Sequence, residues 1–277
     1  MQKTKKSHCI PKLLIKRFCD VNGNIYKYNI ETKKIKKTGS NDGVFWRDWL
    51  YSFYENDENG NFKNSQDNEI ENLLGLMENE IPKILEKIDS GNNLDVNEKD
   101  VLRLFCLLQW ARTPSAISIS NESLSNVYKS IMSLQFEFSL KDELTKYLKS
   151  ENISIGFDKP CIPALQLAIK LFIFSGQTEL EFNIIKTEQL LIFGENPVIV
   201  KLPMINGVEV VMPISSHQLL YIHSINVENK IKDIIDALNI VQINQTSKYI
   251  FFKEKPCNLD MLLTLRTSLQ FGFPNIT

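Results

Sequence analysis

Between residues 69 and 112 the chain carries two successive helical patterns of different kinds. Over residues 69–88 the apolar residues recur at spacings of three and four, which predicts an amphipathic helix. After a polar break at residues 90–93, residues 96–112 are apolar nearly all round, which predicts a central, buried helix. Because the break is short, the two helices should pack antiparallel. The rest of the fold has to be built around this helical hairpin.

The hairpin carries polar residues at positions where burial is costly. At about 100° per residue, Glu71 and Glu78 share one edge of the apolar stripe of the first helix. On the second helix, Gln109 lies roughly 60° from Arg112; Gln109 is level with Glu78, and Arg112 is level with Glu71. A buried arginine without a partner is unfavourable, so we expect Glu71 or Glu78 to bind Arg112. The arrangement fits either a structural ion pair or a polar pocket with paired carboxylates for metal or proton chemistry.

The pattern changes to short runs of Val, Ile and Leu in the second half of the chain. Turn residues separate these runs, which predicts a mostly antiparallel meander. The predicted strands cover residues 179–185, 190–193, 198–202, 208–212 and 218–223. A helix at 228–238, a strand at 248–252 and a short helix at 259–269 complete the expected order. Nearer the start, a β-hairpin begins at Asn24, and residues 56–68 are expected to form a polar loop.

These patterns indicate the α+β class. We expect an N-terminal β-hairpin and a helical hairpin or bundle, packed with the mostly antiparallel meander of the C-terminal half. Weaker helical patterns at 123–138, 141–149 and 164–174 extend the helical part. No Gly/Ser-rich linker divides the sequence. We therefore expect a single domain over residues 1–277, with its helical part at about 66–175 and its sheet part at about 178–252.

Charge and cysteine content narrow the classes of function. The chain has 32 basic and 33 acidic residues and a net charge of −1, so nucleic acid would have to be bound by a local basic patch. The five cysteines and three histidines lack the spacing of a zinc site. No apolar run reaches the roughly 18 residues of a membrane-spanning helix. With no signal peptide evident, we expect a cytoplasmic protein with no membrane partner.

Two further motifs carry side chains suited to chemistry. In the sequence GENPV at residues 194–198, Glu195 and Asn196 stand at a tight turn between two apolar runs. They are either functional groups on a rigid frame or ordinary turn residues. His8, near three lysines, is either a base or phosphate contact, or a packed terminal residue. We expect His8 and the Glu195-Asn196 turn to meet the Arg112 cluster in one cleft.

Taken in order, the motifs resemble those of the bacterial family catalogued as domain of unknown function 4238. They are His8-x-x-Pro11 with Arg17-Phe18, Phe53-Tyr54, Ile70-Glu71 with Glu78, the QWARTP run from Gln109, GENPV, MPIS from Met212, and Asn244 ahead of Tyr249. The resemblance covers about residues 8–252, and Glu195 departs from the family's usual aspartate. The family has no settled activity, but some members lie among anti-phage defence genes. The resemblance thus implies a single-gene toxic effector.

The sequence leaves two classes of function open. One is an anti-phage effector or toxin that, if it is an enzyme, is a metal-dependent, nuclease-like hydrolase acting on nucleic acid. Its catalytic residues would be His8, Glu71, Glu78, Arg112 and Glu195. Gln109 and Asn196 would bind the substrate, and Glu71, Glu78 and Glu195 would hold a metal, for which Mg²⁺ is suited. The alternative is a non-enzymatic module that senses a phage component or another protein, with the polar motifs as structural braces.

Overall fold

A computed structural model describes residues 6–48, 52–56, 62–66, 68–113, 116–117, 162–175, 179–201, 209–224 and 231–269. The helices expected at 123–138 and 141–149 lie outside these ranges, as does Pro114. The described elements mix helices with antiparallel strands, which confirms the α+β class.

The elements follow the expected order with additional strands near the N-terminus. The first part contains β1 (Lys6–His8), α1 (Lys12–Lys16), β2 (Asn24–Asn29), β3 (Lys34–Gly39), a 3₁₀ turn (Gly43–Phe45), β4 (Trp46–Asp48), β5 (Ser52–Asn56) and β6 (Phe62–Gln66). Three helices follow: α2 (Asn68–Asp89), α3 (Val96–Ala111) and α4 (Ile162–Ser175). The last part contains β7 (Leu180–Lys186), β8 (Ile199–Lys201), β9 (Glu209–Ser215), β10 (Gln218–Ser224), α5 (Ile231–Asn244), β11 (Tyr249–Phe252) and α6 (Leu259–Leu269).

The helical hairpin forms as predicted, and its ends have local causes. Gly91 adopts a positive φ of 72° just after α2, a conformation that costs glycine little and ends the helix. At the start of α3, the Asp95 side chain accepts from the Glu98 N–H, and the Glu98 side chain accepts from the Asp95 N–H. This reciprocal capping box satisfies two otherwise free donors. α2 and α3 contact each other, and α3 also packs against α4.

Two antiparallel sheets flank the helices. The larger has the strand order β7-β10-β9-β8, and the smaller has the order β11-β2-β3. The central strand β2 has partners on both edges, and its two faces serve different cores. Ile25 packs into the main apolar core, whereas Tyr28 belongs to a smaller cluster with residues of β11, α5 and α6. The smaller sheet therefore links the main core to the C-terminal helices.

Two predicted segments have a different structure. Residues 190–193 form no strand, although Leu191, Ile192 and Phe193 are fully buried. The backbone of this run is bound by several separate partners instead. Oδ1 of Asn239 accepts from the Ile192 N–H at 3.1 Å, and its Nδ2 donates to the Leu190 carbonyl at 2.8 Å. The Leu191 N–H donates to the Ser216 carbonyl at 2.9 Å, and Phe193 exchanges two backbone hydrogen bonds with Phe251. A short apolar run in a sequence indicates that the segment is buried, but it does not by itself indicate that the segment forms a strand.

The expected loop at residues 56–68 is also wrong, because part of it is strand β6. This strand pairs antiparallel with β5 from Ser52↔Gln66 to Asn56↔Phe62. The sequence of β6 is polar and does not alternate between polar and apolar residues, so it gave no strand signal. Antiparallel backbone pairing does not require such alternation, since a two-stranded ribbon can face water on its surfaces.

Candidate functional site

His8 ends the first strand and is held from two sides. β1 pairs antiparallel with β4, which sets His8 opposite Trp46. The centroids of the two rings lie 4.0 Å apart, at an angle of 35°. The next residue, Cys9, donates its N–H to the Phe45 carbonyl at 2.9 Å. The imidazole is therefore fixed by backbone pairing and by ring contact together.

The N-terminal segment packs on the helical hairpin. The buried Nε2 of Gln109, on α3, donates to the Cys9 carbonyl at 2.7 Å. Beyond it, Ile10, Leu14 and Phe18 are almost completely buried in the main core. Gln109 therefore connects the residue after His8 to the helix that carries Arg112.

Arg112 forms the ion pair that helix geometry predicted. Its Nη1 lies 2.7 Å from Oε1 of Glu78, which confirms the expected contact between the two helices. The Arg112 side chain is 3% exposed and that of Glu78 is 25% exposed. Arg112 is also the residue that caps the C-terminal end of α3, where a positive charge is favourable. The side chain of Glu71, the other candidate partner, lies outside the described part.

The electrostatics of His8 connect it to this pair. Burial lowers the pKa of His8 below its ordinary value of 6.5. The Glu78 carboxylate opposes that shift in the pKa, while Lys12 and Arg112 reinforce it. Both members of the ion pair thus act on the pKa of the imidazole, and the expected approach of His8 to the cluster stays a prediction. Above pH 6.5 the ring is neutral and can act as a proton acceptor or as a hydrogen-bond partner.

Three polar atoms of this region are buried without a hydrogen-bond partner among the described residues. They are Oγ of Ser7, Nε2 of His8 and Oε1 of Gln109. Buried polar atoms are nearly always paired, so an exception calls for a functional or structural explanation. We call His8, Glu78, Gln109 and Arg112 the hairpin cluster.

The GENPV turn is attached to a different part of the molecule. The Glu195 carboxylate accepts from the Ser247 N–H at 3.1 Å and from the Ser247 hydroxyl. Nδ2 of Asn196 donates to the Gln245 carbonyl at 2.7 Å. The Gly194 N–H donates to Oε1 of Gln242 at 2.9 Å. The turn is therefore fixed to the end of α5 and to the loop that leads into β11.

No contact within the described ranges joins Glu195 or Asn196 to Arg112. Their convergence on one cleft with the hairpin cluster stays a prediction. What the two regions share is an aromatic contact chain through the core. Phe18 and Phe251 both contact Phe193, with ring centroids 4.6 and 5.1 Å away, and Phe251 contacts Phe45 at 4.7 Å. Phe45 precedes Trp46, and Phe193 precedes the GENPV turn.

The part of the chain that the structure describes contains no group of three His, Cys, Asp or Glu side chains suited to a metal ion. Because the Glu71 side chain is outside it, the trio of Glu71, Glu78 and Glu195 as metal ligands stays a prediction. Over the same ranges, no helix is both long and apolar enough to cross a membrane.

Sequence reasoning missed several residues that build these regions. Trp46 was not singled out, because a three-residue strand carries no usable periodicity. Ser247, Gln242 and Asn239 were missed because their roles depend on a loop and a helix about 50 residues from the GENPV turn. The closing Asn244 motif was the one signal that pointed to this part of the chain.

Comparison with known proteins identifies the family. A search of curated proteins found no match, and neither did a search of solved structures. A family model described as "Protein of unknown function (DUF4238)" matches residues 6–256, a range that contains the hairpin cluster and the GENPV turn. Because this range is most of the 277 residues, the chain belongs to the DUF4238 family.

Proposed function

We propose that this protein is a toxic effector in anti-phage defence that hydrolyses nucleic acid through the hairpin cluster. The observation that carries the proposal is His8: its Nε2 is buried without a hydrogen-bond partner among the described residues, and the charges of the Glu78–Arg112 ion pair act on its pKa. A histidine of lowered pKa, next to a guanidinium and a carboxylate, has the composition of a hydrolytic site. The proposal requires the protein to act in the cytoplasm, where phage nucleic acid is made.

The proposed chemistry uses the neutral imidazole as a general base. In the tautomer with its proton on Nδ1, Nε2 of His8 accepts a proton from water while the water oxygen attacks phosphorus. The bond from phosphorus to the leaving oxygen breaks, and the protonated imidazole returns the proton to that oxygen. Arg112 stabilises the charge that develops on the phosphate oxygens. In this scheme Glu78 orients Arg112, and Gln109 accepts a hydrogen bond from the substrate at Oε1.

Mg²⁺ is an additional component of the proposal. Glu71, Glu78 and Glu195 would supply hard oxygen ligands, and Asn196 a substrate contact, if the GENPV turn faced the cluster in the active protein. Dependence on a divalent cation is therefore tested separately from dependence on His8.

The contacts of Gln109 and Asn196 favour a second candidate function. Both side chains tie distant backbone segments together, as braces do. A protein with only such braces would be a non-enzymatic module that senses a phage component or another protein. In that case removal of a brace changes stability and effect together.

The test is expression of the intact chain and of His8→Gln in a heterologous bacterium, with and without phage. The matched control is His217→Gln, since His217 is exposed and lies outside the hairpin cluster. We expect the intact chain and the control to stop growth and to leave fragmented nucleic acid, and His8→Gln to do neither while folding normally. Purified protein with and without a chelator then tests the metal. Intact nucleic acid in cells that the protein arrests would overturn the nuclease proposal, and equal toxicity of His8→Gln would remove His8 from it.

A further inference from the structure

A cavity of about 490 Å³ lies between the hairpin of β2 and β3, the loop after α5, and α6. Its walls include Tyr28, Leu263, Ser247 and Arg266, and its other charged lining residues are Glu31, Lys33 and Asp260. Cavities of this size with mixed apolar and polar walls hold small organic ligands. None of its lining residues belongs to the hairpin cluster.

Arg266 contributes a positive charge and hydrogen-bond donors to the wall of this cavity. Its Nη2 donates to the Thr246 carbonyl at 2.9 Å. Its Nε and Nη1 are buried and have no hydrogen-bond partner among the described residues. A buried guanidinium with unpaired N–H donors favours binding of an anion. Phosphate and carboxylate groups match the planar geometry of its donors.

Two acidic residues, Glu31 and Asp260, line the cavity, but among the described residues no ion pair joins either of them to Arg266. Asp260 is 83% exposed, and its carboxylate lies 3.3 Å from Nζ of Lys255. The nearest motif carboxylate, Glu195, binds Ser247. The charge of Arg266 is thus available to a ligand.

Ser247 adds a second requirement. Its hydroxyl hydrogen is donated to Glu195, so its oxygen presents lone pairs to the cavity. An oxygen of this kind binds a hydroxyl group of a ligand. Burial raises the pKa of Tyr28, so its phenol stays protonated at neutral pH and can donate a hydrogen bond.

From this arrangement we propose that the cavity binds a phosphorylated sugar. The phosphate would bind Arg266, a sugar hydroxyl would donate to Ser247, and the body of the ligand would lie against Leu263 and Tyr28. Glu195 would be a positioning residue, because it holds Ser247 by both its N–H and its hydroxyl. No lining residue of this cavity belongs to the hairpin cluster. Glu195 is also a ligand in the Mg²⁺ part of the proposed function, so the binding assay at the Arg266 cavity and the hydrolysis assay test its two roles separately.

The phosphorylated sugar has two sources, a nucleotide and a sugar phosphate, and titration calorimetry distinguishes them. Adenosine 5′-monophosphate and ribose 5-phosphate are the probes, and adenosine and ribose are the neutral controls. We expect at least one phosphorylated probe to bind with a Kd of about 1 mM or tighter, and the neutral compounds to bind at least about tenfold more weakly. Preference for one probe assigns the source. Absence of binding by both would overturn the proposal.

Variants then locate the binding. Arg266→Gln should weaken binding by at least about tenfold, because a charge-assisted hydrogen bond is lost, and added salt should weaken binding to the intact chain. Ser247→Ala and Glu195→Gln, which leave Arg266 in place, should each weaken binding several-fold. Lys83→Gln removes an exposed positive charge on α2 and should leave the Kd unchanged. Circular dichroism checks that each variant folds. Equal affinity of the intact chain, Arg266→Gln and Ser247→Ala would place the ligand elsewhere and overturn the proposal.

Discussion

The side chains of Arg112 and Glu78 differ in their exposure to solvent, and this difference determines how much their ion pair contributes to stability. Arg112 is nearly excluded from water, while Glu78 keeps a quarter of its exposure. Removing one partner of a buried pair costs about 3–5 kcal/mol, because the other charge loses its compensation. Replacing both by neutral groups of similar shape costs much less. The pair therefore fixes how α2 and α3 pack more than it adds net stability.

A double-mutant cycle measures this coupling. We expect Glu78→Gln and Arg112→Met to be destabilising singly, and the double variant to be more stable than their sum by about 1–3 kcal/mol in urea unfolding. The control is the pair of Glu80 and Lys83 on the same helix, whose side chains are 57% and 74% exposed, and it should show no measurable coupling. Additive effects of the two buried substitutions would mean that the ion pair contributes nothing to packing.

His8 makes stability depend on pH in a defined direction. Its native pKa is lower than the 6.5 of the unfolded chain, so below pH 6.5 the unfolded state binds the proton first. The free energy of unfolding then falls as the pH falls from 6.5 towards the native pKa of His8. Asp42 and Asp89 also lose stabilisation in acid, since the pKa of each carboxyl is lowered, but they do so around and below pH 3.8. Between pH 6.5 and about 5, the change in the free energy of unfolding with pH therefore reports on histidine.

The measurement is urea unfolding of the intact chain and of His8→Gln at several pH values in that interval. The intact chain should lose stability more steeply with falling pH, by at most about 1.4 kcal/mol per pH unit. The remaining histidines are common to both proteins, so their contribution cancels in the difference. Parallel curves would show that His8 is not held in a neutral form.

The GENPV turn and the end of α5 form one interlocked element. Only glycine fits at position 194 without a steric clash. An added Cβ would lie 1.6 Å from Oγ1 of Thr246 and 3.0 Å from the Gln242 carbonyl oxygen. Side chains of the helix complete the junction: Gln242 accepts from Gly194 and donates to the Pro197 carbonyl at 3.1 Å. The contact fixes the loop that carries Ser247.

Gly194→Ala should therefore destabilise the protein by about 1–3 kcal/mol or more, as overpacking does. Adding Thr246→Ala should recover part of the loss, because it removes the nearest atom. The contrasting control is Gly75→Ala within α2, where an added Cβ meets nothing within 4 Å. That change should stabilise by about 0.5–1 kcal/mol, since alanine favours a helix interior. Thermal unfolding of the variants measures both, and a neutral Gly194→Ala would contradict the close approach.

At the scale of the whole molecule, one apolar core connects the parts that the sequence suggested separately. Its members come from the N-terminal segment, from α2, α3 and α4, and from the larger sheet, with Phe251 of β11 also included. The predicted single domain implies that these parts unfold together. Separate domains would each need a core of their own.

We expect unfolding in urea to be a single transition. Tryptophan fluorescence reports on the three tryptophans of the chain, among them Trp46 beside His8 and the buried Trp110 of α3. Far-ultraviolet circular dichroism reports on all helices and strands. Coincident curves would support one cooperative unit. Two separated transitions would instead divide the chain into a helical and a sheet domain.

Sequence alone determined the local features of this protein. The helical hairpin was predictable because apolar spacing and the break before α3 act over a few residues. A contact between Arg112 and one of the two glutamates was predictable, because a buried charge must be compensated, but the helix heights did not select Glu78, which is the partner observed. Family membership followed from the order of short motifs, which the family model confirms.

Tertiary structure decided which distant segments meet. The pairing of β1 with β4 joins two strands of three residues about 40 positions apart, too short for any periodic signal. The burial of Leu191, Ile192 and Phe193 suggested a strand, but their backbone hydrogen bonds go to three separate partners: the Ser216 carbonyl, the Asn239 side chain and the Phe251 backbone. No pattern in the sequence distinguished Arg266 from other residues of its short helix, and only the fold places it at a cavity together with Ser247. Such contacts depend on side chains brought together across the whole chain, and no local pattern encodes them.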